Sequence, residues 1–128
     1  MNLLVDSHLL LWAAGQPEKL SSEACQLLSD SNNQLIFSAA SIWEITIKNS
    51  LGKPDFRVNP HSLRRGLLDN EWVELPVNSR HAIATGELDG IHKDPFDRIL
   101  IAQVTVEGFT LLTADKTLSG YPGRIQVV

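Results

Sequence analysis

Cysteine is nearly absent from this sequence. Cys25 is the only one among 128 residues, so no disulfide can form within the chain, and a thiolate zinc site lacks ligands. That fits a reducing, cytoplasmic setting. Basic excess is missing too: Lys plus Arg is 11 against 15 Asp plus Glu, a formal net charge of -4. Whole-surface attraction to nucleic acid is therefore excluded. A nucleic-acid enzyme that recruits cations, or gathers its Lys and Arg on one face, is not. No apolar run approaches the ~20 residues needed to cross a bilayer. The start, Met1 to Asp6, lacks a basic region, and Asp6 and His8 interrupt its apolar run, which argues against a signal peptide. The expectation is a protein with no membrane partner. There is no internal repeat and no low-complexity stretch. The length suits one domain over 1–128, with 43% hydrophobic residues to fill its core.

Glycines and prolines cut the chain into short alternating pieces. Leu3-Leu4-Val5 predicts a buried strand, followed by helix caps Asp6 and Ser7 and a helix over His8 to Ala14. A second helix opens at Ser21 or Ser22. Gln34 to Ser38 is the second strand, Ala39 to Leu51 the third helix, and Asn59-Pro60 opens a fourth helix. Trp72 to Leu75 gives a third strand, a helix around His81 to Ala84 follows, and Glu87 to Lys93 reads as a polar loop. Phe96 to Glu107 is rich in β-branched residues that suit a strand. Asp94 as cap, Pro95 as first helical residue, Asp97 in the first turn and a length of a dozen residues decide for a helix. Phe109 to Thr113 and Ile125 to Val128 complete five strands. Continuously apolar strands alternating with helices predict an α/β/α sandwich, three layers around a mainly parallel sheet. Sites in such sheets lie beyond the carboxyl ends of the strands.

Asp6 and Asp115 each fall just past a strand, on that rim. Each could simply cap a helix, as could Asp94, and Asp97 could merely favour a helix dipole. Glu44 is harder to assign this way, because it sits among apolar residues in Ser41-Ile42-Trp43-Glu44-Ile45-Thr46-Ile47. Its bland reading is a narrow exposed stripe with Lys48 four residues on. Taken together, the acids can converge on one rim. Clustered carboxylates repel one another and are tolerated chiefly when divalent cations neutralise them. All-oxygen ligands favour Mg²⁺ or Mn²⁺, and phosphodiester hydrolysis by one or two ions is the matching chemistry.

The segments Leu4 to Trp12, Ser38 to Ile45, Lys48 to Lys53, His92 to Gln103 and Thr113-Ala114-Asp115 resemble the PIN-domain nucleases, in particular the VapC-like toxins of bacterial type II toxin–antitoxin systems. His92-Lys93-Asp94-Pro95-Phe96-Asp97-Arg98 is the most specific stretch. The resemblance implies a PIN-like fold and an Mg²⁺-dependent endoribonuclease, with Mn²⁺ as a substitute. It also implies an RNA substrate, a homodimer and a small antitoxin whose tail blocks the site. Asp6, Glu44, Asp97 and Asp115 match the acidic quartet. Asp6 and Asp97 are the leading metal ligands, Asp115 a ligand that can act through water, and Glu44 a ligand or an orienter of the nucleophilic water. Asp94 reads as a cap with a lesser supporting role. Ser7 and Ser38 stand beside the site, where each could bond a carboxylate or only cap a helix.

Arg98, Lys48, Lys93 and Lys116 are the candidate RNA contacts, Arg98 best placed for a phosphate. Arg64 and Arg65 read as a solvated helix face. His8 and His92 lack the spacing of a metal site, and His61 and His81 have no neighbouring chemistry. Trp12 and Trp43 read as packing residues, with base stacking conditional on an exposed ring, and Trp72 as core or edge. Three rivals stand beside the toxin reading. One is a nuclease without a toxin role. Another is a phospho-receiver domain, disfavoured because Asp115 occupies the place of its late-strand lysine. The third is a non-catalytic module whose acids only cap helices.

Overall fold

Each of the six α-helices among the described residues is started by a side chain that accepts from an N–H of its first turn. In the computed structural model, which describes residues 1–88, 94–121 and 123–128, Asp6 caps α1 (Ser7–Gly15), Ser21 caps α2 (Ser22–Ser29) and Ser38 caps α3 (Ala39–Ser50). Asn59 caps α4 (Pro60–Asp69), Asn78 caps α5 (Ser79–Ala84) and Asp94 caps α6 (Pro95–Glu107). The 95–107 segment is thus a helix despite its β-branched content. It stops at Gly108, whose left-handed backbone (φ 74°) a side chain would strain.

The strands are β1 (Asn2–Val5), β2 (Gln34–Ser38), β3 (Val73–Leu75), β4 (Thr110–Thr113) and β5 (Ile125–Val127). They form one sheet in the order β3-β2-β1-β4-β5, and all four pairings are parallel. β1 is central, with Leu4 opposite Ile36 on one side and Leu111 on the other. Trp72 and Phe109 fall just outside the strands assigned to them. Of the 87–93 loop, Thr85–Glu87 is a 3-10 turn that already includes Glu87, and 89–93 lie outside the described residues.

Alternation along the strands sends successive side chains to opposite faces. Leu3, Val5, Phe37 and Leu112 join Leu9 and Leu10 of α1, Ile45 of α3 and Leu63 and Leu67 of α4. Leu4, Ile36 and Leu111 pack instead on Leu100, Ile101 and Val104 of α6. Two cores on two faces make the three-layer α/β/α sandwich. No helix among the described residues is long and apolar enough to cross a membrane.

Candidate active site

The chain leaves β1 at Val5 and turns into α1 at Asp6, and this turn is buried on the carboxyl rim of the sheet. Asp6 N–H donates to Leu112 O at 3.0 Å, extending the β1–β4 pairing by one bond. Its carboxylate accepts from Leu9 N–H at 3.0 Å and from the Thr113 hydroxyl at 2.5 Å. Asp6 is therefore a helix cap, yet capping does not require burial, and Asp6 is only 7% exposed. That burial pushes its carboxyl above the usual carboxylate range. The bonds from Thr113 and Leu9 and the charge of His8 pull the other way, while the charge of Glu44 adds to the rise.

Glu44 reaches the same rim from α3. It is buried, and both oxygens are held: Ser7 Oγ donates to Oε1 at 2.6 Å and Lys48 Nζ to Oε2 at 2.7 Å. The i,i+4 pair with Lys48 exists, but not on a solvent stripe. The hydroxyl beside Asp6 thus grips the acid of another helix, as the position of Ser7 suggested. Lys48, expected to meet RNA, is instead committed to Glu44 and lies 4.9 Å over the Phe56 ring.

Asp115 arrives two residues past β4. Its N–H donates to Thr113 Oγ1 at 3.0 Å, and its carboxylate accepts from the Thr117 N–H and hydroxyl. Thr113 therefore touches both Asp6 and Asp115, a role sequence reasoning missed. Its signal was there: a hydroxyl at the carboxyl end of a strand, two residues before an acid. Asp97 stands half-buried in the first turn of α6, its N–H turned toward the capping Asp94 Oδ1 at 3.4 Å. The rings of Trp43 and Phe96, neighbours of Glu44 and Asp97, meet edge to face at 5.3 Å and bring the two helices together.

The structure thus links Asp6, Glu44 and Asp115 through Ser7 and Thr113, and sets Asp97 on the adjoining helix start. Among the described residues, no three His, Cys, Asp or Glu side chains already form a metal-holding group. The donor chemistry nevertheless fits a hard dication. All candidate ligands are oxygens, and a desolvated Asp6 facing the charge of Glu44 is a state that an added cation relieves.

Other expectations resolve differently. Ser38 and Asp94 act as helix caps, Ser38 donated to by Ala40 N–H at 3.0 Å and Asp94 by Phe96 N–H at 2.8 Å. Arg98 is no outward phosphate ligand: its guanidinium donates to Thr85 O, Leu88 O and Tyr121 Oη, fastening the 85–88 turn to α6. Lys116 is exposed beside Asp115, and Lys93 and His92 lie outside the described residues. His8 rests edge-on against Trp12 and Phe56. Trp43 corrects the packing expectation, since it is 63% exposed.

His81 is the larger correction. It is fully buried, with Nε2 at 2.8 Å from Glu107 and Nδ1 accepting from Asn78 N–H at 3.2 Å. A backbone N–H can only donate, so Nδ1 is the acceptor and Nε2 carries the proton shared with Glu107. The ring ties α5 to the end of α6.

Comparison with known proteins supports this architecture. The chain has no match among curated proteins at the level of sequence. It is similar in structure to VapBC2 from Rickettsia felis bound to a DNA fragment from their promoter (TM-score 0.75, 17% identity, covering 100% of this chain and 99% of that one). It is also similar to a toxin–antitoxin complex from Klebsiella pneumoniae (TM-score 0.65, 19% identity, 97% and 96%). A third likeness is to Mycobacterium tuberculosis VapC20, a sarcin-ricin loop cleaving toxin (TM-score 0.65, 13% identity, 94% and 96%). At these identities the likeness establishes the shared fold. The family model of the PIN domain matches residues 3–123, and the chain belongs to the PIN-domain family.

Proposed function

We propose that this protein is a metal-dependent endoribonuclease and the toxin of a type II toxin–antitoxin pair. The observation that carries the reading is the buried Asp6 carboxylate at the β1–β4 junction, with Glu44 beside it and Asp115 tied to it through Thr113. Capping alone does not call for a buried charge, and burying a second acid against it serves no packing purpose. Asp6, Asp97 and Asp115 are the residues that would hold Mg²⁺ or, in its place, Mn²⁺. When bound there, the ion supplies Lewis acidity and charge neutralisation for phosphodiester hydrolysis. Glu44, its orientation fixed by Ser7 and Lys48, is placed to orient the attacking water. Thr113 keeps Asp6 and the backbone of Asp115 in register, and among the described residues exposed Lys116 is the remaining candidate for a phosphate contact. An RNA target accords with VapC20, which is a sarcin-ricin loop cleaving toxin.

The test is cleavage of RNA with Mg²⁺ or Mn²⁺, against a chelator and an Asp97→Asn control. Cleavage is expected only with the cation, and Asp97→Asn is expected to lose roughly a hundredfold or more. Cation-independent cleavage, or a fully active variant, overturns the mechanism. Growth arrest on expression separates a toxin from a housekeeping nuclease.

Two surfaces accommodate partners. Exposed Trp43 on α3 and Val77 just before α5 line, with Phe96 of α6, the apolar face that a homodimer would cover. Between α1, α2 and α4 an open groove of about 990 Å³ is lined by Leu11, Cys25, Leu28, Leu63, Leu67 and Trp72, and this groove we assign to the antitoxin. Cys25 is exposed there and is the chain's only thiol, so it reports occupancy directly. Its alkylation rate is expected to fall at least about tenfold when the antitoxin docks, by the burial of a group that reacts only when accessible. An unchanged rate in a formed complex places the antitoxin elsewhere.

A further inference from the structure

Lys48 sits where a positive charge has consequences for the whole acidic site. Glu44 and Lys48 are one helical turn apart on α3, and their charged ends meet at 2.7 Å with side chains 7% and 27% exposed. The lysine is held from a second direction. After α3 the chain reverses at Gly52, whose φ of 73° needs glycine, and Lys53 N–H closes on Lys48 O at 3.1 Å. The 3-10 turn Pro54–Phe56 then lays the buried Phe56 ring under the ammonium, a cation–π contact. His8, from the first turn of α1, meets that ring edge-on at 5.2 Å. An ammonium fixed by a carboxylate and an aromatic face is not a surface charge waiting for a phosphate.

Glu44 in turn faces Asp6 closely enough for the two charges to act on each other. Two buried carboxylates with no cation would be costly to keep together. The structure supplies that cation from its own chain.

We infer that Lys48 is a resident counter-ion of the acidic site: a positioning residue that holds Glu44 in place while no dication is bound and weakens the dication's hold once it is. This rests on the metal-dependent reading above. An ammonium paired with Glu44 offsets part of the negative potential that attracts a divalent ion, so removing its charge deepens that potential. The same removal leaves Glu44 buried without compensation. The two effects run in opposite directions, and this distinguishes a counter-ion from a residue that merely braces the helix.

The experiment compares wild type with Lys48→Gln, which keeps a hydrogen-bond donor but no charge, and Lys48→Arg, which keeps the charge. Mn²⁺ binding is measured by calorimetry and thermal unfolding is followed with chelator and with Mn²⁺. Lys48→Gln is expected to bind Mn²⁺ about tenfold more tightly, a figure reduced from the full pairwise attraction because Lys48 is partly solvated. Its Tm in chelator falls below that of wild type, and its gain in Tm on adding Mn²⁺ exceeds the wild-type gain. Lys48→Arg restores the wild-type affinity. Lys48→Met, which retains the apolar stem over Phe56, gives the same comparison if the Gln variant does not fold. Equal or weaker Mn²⁺ binding by the neutral variants, with wild type binding normally, overturns the counter-ion role alone. Absence of Mn²⁺ binding by wild type overturns the metal reading and this inference with it.

Discussion

Asp6→Asn is expected to remove cation-dependent RNA cleavage and, in the same molecule, to raise the stability of the fold at pH values above the raised range of the Asp6 carboxyl. Cleavage should fall by roughly a hundredfold or more, the scale of losing one charged group that acts on the transition state. Stability should rise because Asp6 is ionised at a cost. Burial, with the charge of Glu44 beside it, holds its folded-state carboxyl above the ordinary carboxylate range. A raised acid favours the folded state when protonated, and that contribution is lost as pH climbs through the raised value. Asparagine is neutral throughout. It keeps an oxygen for Leu9 N–H and can pair with the Thr113 hydroxyl, which accepts as well as donates. The stability gain of Asp6→Asn should therefore grow as pH climbs through the raised range of the Asp6 carboxyl and vanish in acid, below the ordinary carboxylate range, where both side chains are uncharged. Denaturant unfolding at several pH values measures this directly. A variant destabilised at pH 7, or one with wild-type cleavage, would show that Asp6 is only a helix cap.

His81→Ala is expected to be the most destabilising of the substitutions considered. The fully buried ring bridges Asn78 N–H on α5 and Glu107 at the end of α6, and Gln103 Nε2 lies 3.4 Å from Nδ1. Truncation opens a cavity and takes its acceptor from Asn78 N–H and its partner from Glu107. The two costs together are about 3 kcal/mol, or roughly 10 °C in Tm. Cleavage per folded molecule should be unchanged, since the ring touches none of the four acids. A Tm shift within a degree or two would mean that α5 is held to α6 by its apolar contacts alone.

These two residues mark how far the sequence could be read. Asp6 was legible because its position follows from rules that act locally: an apolar strand, a capping acid and a parallel sheet together put the carboxylate on the rim. The helix at 95–107 was legible for the same reason, its entry residues outweighing β-branched content. His81 was not, since its partners Gln103 and Glu107 lie more than twenty positions away and reach it through the docking of two helices. Arg98 was misread for a related reason. Its neighbour Asp97 suggested chemistry, whereas the carbonyls of Thr85 and Leu88 that it satisfies belong to a turn packed on α6. Trp43 looked like core by helical spacing, but its face of α3 turns out to be the exposed one. Thr113 was quoted within a motif without being given a task, because only the β1–β4 pairing reveals that its hydroxyl meets Asp6.

That pairing has a bearing on how the chain is made. Asp6 is synthesised before Leu112 and Thr113, which receive its N–H and hold its carboxylate from more than a hundred positions further along the chain. Contacts of such separation close last, after the intervening loop entropy has been overcome. A nascent chain arrested before β4 therefore carries Asp6 with its Leu9 bond but without the Thr113 hydroxyl, and lacks Asp115 altogether. Under the proposed nuclease activity, the acidic site is therefore complete only once β4 and the turn that carries Asp115 are in place.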